Sequence, residues 1–445
     1  MYTGNIQLSS LDESLKSANN FELDEDLNNC INLVNETSDS YSEQEKELFN
    51  YVINNIERDE SGRIIAPALW DWDNEHLLAK NLNISKSILY STLKKLNKRP
   101  EALAQYNDVI QEQIGDGIIE EISNLEEFLE QNPDASFLPH SAVIRESSST
   151  TKCRVVFLSN LCERARGGMS HNQVSFPGAN LNSSLFTSLL LLRFDKYLLT
   201  FDLCKAFLQI KLRPSDSVKL LFLWFRDVKS NNYELVAYRF LRLGFGLRFS
   251  PSILMSVLYF ILMINIDRYD EELKAIAKRF YALLYMDNVS YTSASEGNIV
   301  RAYHKSYEIF NAYGFDLQKF LTNVQNVQNI EDVAHGEVTP PIVDLLGVQW
   351  NRLNDQIMCR KLNLNPEADT KRKVLQSLNS QYDPIGVHLP LLNRAKFFLH
   401  SLQIDNNLGW DDYVGSENNK EWVRICKQAN AHEPFPIDRC IGSRS

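Results

Sequence analysis

Two apolar runs that each lead into a carboxylate constrain this chain more than any other feature. Tyr197-Leu198-Leu199-Thr200-Phe201 leads into Asp202, and Phe280-Tyr281-Ala282-Leu283-Leu284-Tyr285-Met286 leads into Asp287. Short apolar runs with β-branched and aromatic residues, bounded by polar ones, read as buried strands. Each aspartate then sits at the end or turn of a strand. Two such acids that meet in space are a means of holding a pair of divalent cations for phosphoryl or nucleotidyl transfer.

The composition supports a globular body around such a sheet. The chain has 445 residues, 44% apolar and 11% aromatic, enough for two to four domains with cores. Its formal charge of -11 is uneven: residues 1–135 hold 10 Lys and Arg against 27 Asp and Glu, so the remainder is mildly basic. An acidic front and a basic body suit a body that tracks a phosphate backbone. The seven cysteines (Cys30, Cys153, Cys162, Cys204, Cys359, Cys426, Cys440) form no CxxC pair and have no His pair at metal spacing. That pattern argues for a reducing compartment and against a zinc site. The first residues lack the basic and apolar regions of a signal peptide. The longest apolar stretch, Ile253–Ile266, is short for a bilayer and reads as a buried helix. An intracellular chain, cytoplasmic or nuclear and without a membrane span, is expected.

Along the chain, residues 1–42 are rich in Asn, Ser, Asp and Glu and read as an acidic flexible tail. Helical periods follow at 42–58, 85–98 and 100–116, the last opened by Pro100. From 138 the pattern turns to strands. Ser141–Arg145 and Cys153–Leu158 predict a hairpin with a polar tip, and 197–202, 218–226 and 233–240 predict further strands. Pro251–Ile266 predicts a long apolar helix with Ser250 as its cap. Residues 281–286 and 288–292 are expected to pair as a hairpin around Asp287, with a helix at 295–312 and a strand from Phe315. Leu345–Trp350 with Gln356–Arg360 suggests one more hairpin, and 367–382 and 390–404 are helical.

Further motifs stand in a fixed order around the two acids. Leu138-Pro139-His140-Ser141-Ala142-Val143-Ile144-Arg145 precedes Thr151-Lys152-Cys153-Arg154-Val155-Val156-Phe157. Then come Asp202…Ala206-Phe207, Phe245-Gly246-Leu247-Arg248-Phe249-Ser250-Pro251 and Tyr285-Met286-Asp287-Asn288. Gly314-Phe315-Asp316-Leu317-Gln318-Lys319 and Leu345-Leu346-Gly347-Val348-Gln349-Trp350 follow. Last are Thr370-Lys371-Arg372-Lys373-Val374-Leu375 and Ser380-Gln381-Tyr382-Asp383-Pro384-Ile385-Gly386. In this order they resemble reverse transcriptases, most closely those of Bel/Pao-type LTR retrotransposons, from about Gly62 to about Asp412.

The resemblance implies an α+β, right-hand polymerase fold with fingers, a palm built on a ferredoxin-like antiparallel sheet, and a helical thumb. It implies a helical extension at 43–135, fingers and palm at 136–343, and a primer-grip hairpin with a helical thumb or Pao-type segment at 344–412. Residues 413–445 would be a C-terminal tail or a truncated following domain. Asp202, Asp287 and the Leu203 carbonyl would hold two Mg²⁺ or Mn²⁺ ions. Lys152 and Arg154 would meet the triphosphate, where cations offset developing charge. Phe207 would exclude a ribose 2′-OH, and Phe245 and Gly246 would line the base-pair pocket. Lys319 would protonate pyrophosphate. Tyr285, Met286, Leu346, Gly347 and Trp350 would contact primer and template, and the 371–373 basic cluster the duplex backbone.

The chain departs from the family twice. Asn288 replaces the second acid of the Tyr-x-Asp-Asp position, and Leu158 replaces an Asp after the fingers strand. No Asp-Ser/Thr-Gly protease motif, no four-acid ribonuclease H set after 412 and no His-His-Cys-Cys integrase module is visible, as in an excised piece or a decayed copy. The expected function is RNA-directed DNA synthesis on a primed RNA or DNA template with dNTPs. The alternatives are a catalytically inactive retroelement-derived protein that keeps the fold and binds nucleic acid, and a two-metal nuclease or cyclase on a similar palm.

Overall fold

The computed structural model describes residues 41–144, 153–163, 167–226, 228, 234–336, 338–404 and 408–442. Residues 1–40 of the acidic tail expected at 1–42, the hairpin tip and Lys152 lie outside them. The fold is mixed α+β. The chain divides into two units. The first comprises residues 1–182, 202–289 and 304–318, and the second residues 183–201, 290–303 and 319–445.

In the first unit, the helix Glu43–Asn54 begins at a reciprocal cap. The Ser42 hydroxyl accepts from the Glu45 N–H at 3.3 Å, and the Glu45 carboxylate accepts from the Ser42 N–H at 2.9 Å. Its buried face, Leu48, Phe49, Val52 and Ile53, sets the Phe49 ring 5.4 Å from that of Tyr259. Tyr259 ends the apolar helix Ser250–Tyr259, which continues through a π turn (Phe260–Ile264) and a 3₁₀ turn (Asn265–Arg268). The span Ser250–Arg268 is long and apolar enough to cross a membrane, yet 72% of it is buried within the fold. Ser250 is not its cap. The cap is Phe249, and the Ser250 hydroxyl donates instead to the Gly244 carbonyl at 2.6 Å.

An antiparallel sheet in the order Ile119–Glu121, Leu235–Phe240, Leu221–Phe225 forms a second core of this unit, and every residue of Leu221–Phe225 is buried. The hairpin His140–Ile144 with Cys153–Phe157 is as expected, paired from His140↔Phe157 to Ile144↔Cys153. Its first residue anchors it. The buried His140 ring donates from Nε2 to the Leu223 carbonyl (2.7 Å) and accepts on Nδ1 from the Tyr106 hydroxyl (2.5 Å). Burial pushes the His140 imidazole down to about 4, so it is neutral at pH 7. His171 is buried in the same way, bonded through Nε2 to the Lys219 carbonyl at 2.8 Å, and is also pushed down to about 4.

The expectation at 280–286 is corrected. Phe280–Ala282 closes a helix, Glu271–Ala282, capped by the Asp270 carboxylate on the Leu273 N–H at 2.8 Å. Leu273, Ile276, Ala277 and Phe280 make its buried stripe. The helical period begins upstream of the apolar run and overrides it. Only Tyr285 bridges to Asn288, where the strand Asn288–Ser293 begins. That strand belongs to a three-stranded sheet in the order Asn288–Ser293, Tyr197–Leu203, Leu317–Thr322.

The second unit contains a four-stranded antiparallel sheet, Ile342–Leu345, Val348–Asn351, Gln356–Met358 and Ile437–Asp438. The segment read as one strand, Leu345–Trp350, is thus a tight turn between two strands. The fully buried Arg439 clamps this unit. It holds both oxygens of Asp355 (2.6 and 2.8 Å) and donates to the carbonyls of Leu192, Asp195 and Lys196. The helices Lys371–Asn379, Leu389–Ile404 and Ser416–Asn430 share one apolar core that includes Leu364, Val374, Leu392 and Trp422. The Phe398 and Trp422 rings stack at 5.5 Å. Residues 416–430, expected within a tail or truncated domain, therefore pack into the same core as the helices before them.

Candidate active site

Asp202 reaches its position because the strand before it is buried almost throughout. Leu198, Leu199, Thr200 and Phe201 are covered, while Asp202 at the strand's end is half exposed. The turn Tyr285-Met286-Asp287-Asn288 is closed by two backbone bonds, Tyr285 N–H to Asn288 O (2.9 Å) and Asn288 N–H to Tyr285 O (3.0 Å). Met286 has φ of +56°, the geometry of a type II′ two-residue turn. A side-chain residue held there stores on the order of 1–3 kcal/mol of strain, a cost that persists only where surrounding contacts fix it.

Several hydrogen bonds fix this turn. The Asp287 carbonyl accepts from the Leu203 N–H at 2.9 Å, which sets the turn beside the end of the Asp202 strand. The Cys204 N–H donates to the Asp316 carbonyl at 2.8 Å and holds the strand's other side. Asn182 takes the Met286 N–H on its Oδ1 (3.1 Å) and donates from Nδ2 to the Met286 sulfur (2.9 Å). The Asn288 amide donates to Asp287 Oδ1 at 3.4 Å. The structure therefore brings Asp202, Leu203, Tyr285, Met286, Asp287 and Asn288 together at one sheet end.

A second cluster forms around Phe207. It lies on the short helix Ala206–Gln209, started by Lys205 at φ +46°, and its ring meets the exposed Phe245 ring edge-on at 5.0 Å. Gly246 has φ of +91°, and a Cβ there would lie 3.1 Å from the Phe157 carbonyl. Asn172 fixes this loop: its amide donates to the Gly246 carbonyl (3.1 Å) and accepts from the Arg248 N–H (2.9 Å). Arg154 is exposed on the hairpin, opposite Val143.

Other expected site residues belong to the second unit. Lys319 is exposed on Leu317–Thr322 with φ of +55°. Leu346 and Gly347 form a tight turn with φ of +47° and +89°. The Tyr382 ring covers Gly347, and its hydroxyl donates to the Leu346 carbonyl at 3.1 Å. Trp350 is fully buried and donates to Asp355 at 3.0 Å, so its indole is core and offers no face to a primer. The basic cluster is likewise used internally. Lys371 is buried on the Leu408 carbonyl (2.6 Å), Arg372 grips Asp411 (2.7 and 2.9 Å), and Lys373 pairs with Asp369 (2.7 Å).

Among the described residues, no three or more His, Cys, Asp or Glu side chains gather as a metal cluster. Of the expected acids, Asp287 has the Asn288 amide beside it where the resemblance implies a further carboxylate. Sequence reasoning missed Asn182, Asn172 and Tyr382. Each acts through a partner far along the chain, which leaves no periodic trace.

Residues 370–445 match the family described as the Pao retrotransposon-like RNaseH-like domain. The chain carries a segment of the Pao retrotransposon type. This bears out the Bel/Pao resemblance read from the motifs. The match begins ahead of residue 412 and runs continuously through the helix Ser416–Asn430. Similar solved structures include a foamy viral protease-reverse transcriptase (dRH) in complex with double-stranded DNA, at 13% identity and TM-score 0.48, covering 74% of this chain and 48% of that one. Another is the foamy viral protease-reverse transcriptase in complex with an RNA/DNA hybrid, at 13% identity and TM-score 0.47, covering 97% and 47%. The chain spans about half the length of these structures. No curated protein matches.

Proposed function

We propose that the chain is the polymerase core of a Bel/Pao-type retroelement, performing template-directed nucleotidyl transfer on a primed RNA or DNA strand with dNTPs. The observation that carries this reading is the backbone bond from Leu203 N–H to Asp287 O, which sets the turn that carries Asp287 beside the end of the strand that carries Asp202. In this reading the sheet bearing Asp202 and Asp287 is the palm, and the hairpin His140–Phe157 belongs to the fingers.

The donor set fits a hard divalent cation. Asp202, Asp287 and the Leu203 carbonyl present oxygen only, the chemistry of Mg²⁺ or Mn²⁺ sites, and Asn288 adds a neutral oxygen where a charge is expected. When bound, such ions lower the pKa of the primer 3′-OH and stabilise the departing pyrophosphate. The residues around the acids do the selecting. Phe207, backed by Phe245, stands as a wall against a ribose 2′-OH. Gly246 permits close approach of nucleotide and template to the backbone, and Arg154 meets the triphosphate. The Asn288 amide on Asp287 lowers the charge available to cations, and changes near a metal of this kind cost about 10–100-fold.

Primer extension on an RNA template with dNTPs and Mg²⁺ or Mn²⁺ tests the proposal. The natural chain is expected to extend slowly, Asn288→Asp faster, and Asp202→Ala not at all. Extension undiminished in Asp202→Ala overturns the assignment. A folded chain that extends in neither natural nor Asn288→Asp form leaves the non-catalytic, nucleic-acid-binding reading as the better one.

A further inference from the structure

We infer that Asn182 is a positioning residue for the carboxylate pair, acting through Met286; the inference rests on the two-acid reading above. Met286 has the left-handed backbone that its side chain disfavours, and both of its polar atoms turned toward Asn182 are bonded to it: the N–H to Oδ1 at 3.1 Å and the sulfur to Nδ2 at 2.9 Å. An asparagine amide alone among small side chains offers an acceptor and a donor on one planar group. The bonds therefore fix both the strained peptide and the direction of the Met286 side chain. Asp287 is the next residue, and its carbonyl is tied to Leu203. Holding Met286 holds the peptide from which the Asp287 carboxylate projects.

The loop that carries Asn182 is itself anchored. The Phe176 N–H donates to the Leu69 carbonyl at 2.8 Å. Gly178, at φ +76°, is pressed so closely to the apolar helix that a Cβ would lie 2.2 Å from the Ser252 hydroxyl. The Asn180 carbonyl accepts from the Tyr41 hydroxyl at 3.0 Å, and the Asn182 N–H donates to Asn180 Oδ1 at 3.4 Å. Leu181, just before Asn182, is buried. A side chain on an anchored loop, bonded twice to a strained turn that bears a ligand carboxylate, supports that ligand from behind.

The test uses the full chain, Asn182→Ala and Met286→Leu, with two readouts that need no turnover. One is hydrogen exchange of the Met286 amide, with the buried strand Leu221–Phe225 as the control for folding. The other is Mn²⁺ affinity by titration. In Asn182→Ala the Met286 amide is expected to exchange at least about tenfold faster and Mn²⁺ to bind about tenfold more weakly, with Leu221–Phe225 unchanged. Met286→Leu keeps the N–H bond and loses only the sulfur contact, so both changes are smaller. A folded Asn182→Ala with exchange and affinity both unchanged overturns the inference. If that variant does not fold, Met286→Leu decides, and an unaltered affinity there overturns it. A natural chain that binds no Mn²⁺ sinks the two-acid reading, and the exchange result then settles the clasp by itself.

Discussion

Two tight turns in this chain are built alike and serve different ends. Tyr285-Met286-Asp287-Asn288 in the first unit and Leu345-Leu346-Gly347-Val348 in the second both connect through two residues, and both put a bulky residue at positive φ, Met286 at +56° and Leu346 at +47°. The first is fixed by a polar side chain, Asn182, and leaves Asp287 half exposed beside the Asp202 strand. The second is fixed by an aromatic ring, Tyr382, and leads into the fully buried Trp350. Backbone strain alone therefore does not mark a chemical site. What the strain presents, acids to solvent or an indole to a core, decides its use.

Trp350→Ala separates the two turns most sharply. Removing a buried indole costs about 3–5 kcal/mol, and Asp355 also loses its indole donor. Denaturant unfolding is expected to show the second unit collapsing, whereas Tyr285→Ala leaves it folded. A Trp350→Ala chain of near-normal stability would mean that the indole is not core.

Acid is the next largest lever, and it acts on the first unit. His140 and His171 are both held near 4 by burial, below the ordinary value of about 6.5. Their depressed folded pKa means that the unfolded chain binds the extra protons. The stability they contribute is whole above about pH 6.5 and is lost as pH falls toward 4, by up to about 1.4 kcal/mol per pH unit for each. The buried Asp216, whose carboxyl burial pushes up, works in the opposite sense. Hydrogen exchange at pH 7 and pH 5 should show Leu221–Phe225 losing protection before Val348–Asn351. Equal loss in both strands contradicts the assignment of this acid sensitivity to the two histidines.

Gly347→Ala sharpens the comparison at the second turn. The new methyl would lie 2.2 Å from the Tyr382 ring, on a backbone with φ of +89°. A cost of about 1–3 kcal/mol is expected, with Tyr382 displaced, and thermal unfolding together with Tyr382 fluorescence reads it. The smallest effect is at Arg372. Its pair with Asp411 is exposed to solvent and screened, so it contributes little to stability, and Arg372→Ala is expected to leave the salt dependence of nucleic-acid binding unchanged. A flatter slope would return the basic cluster to the nucleic-acid surface.

The sequence showed the acids more clearly than it showed their supports. Asp202 was legible because the apolar run Tyr197–Phe201 leads directly into it, and that run is a strand whose residues Leu198–Phe201 are buried. Asp287 was legible as a turn acid, but the run before it was misread. Phe280 belongs to a helical stripe that begins at Leu273, and an apolar stretch seen alone hides that period. Trp350 was assigned to a primer surface by resemblance, while the local alternation of buried Val348 and Trp350 with half-buried Gln349 and Asn351 already pointed inward. The Lys371-Arg372-Lys373 cluster looked like a phosphate contact because its acidic partners Asp369 and Asp411 cannot be assigned to it before the fold is known. Asn182 and Met286 stand 104 positions apart, a pairing that no single-sequence pattern encodes.

The most direct test of the paired carboxylates is Mn²⁺ binding followed by electron paramagnetic resonance on the natural chain, Asp202→Ala and Asp287→Ala. Either substitution alone is expected to remove the same bound signal, since a site built from the pair needs both acids. A bound signal that survives each single substitution would contradict the pairing.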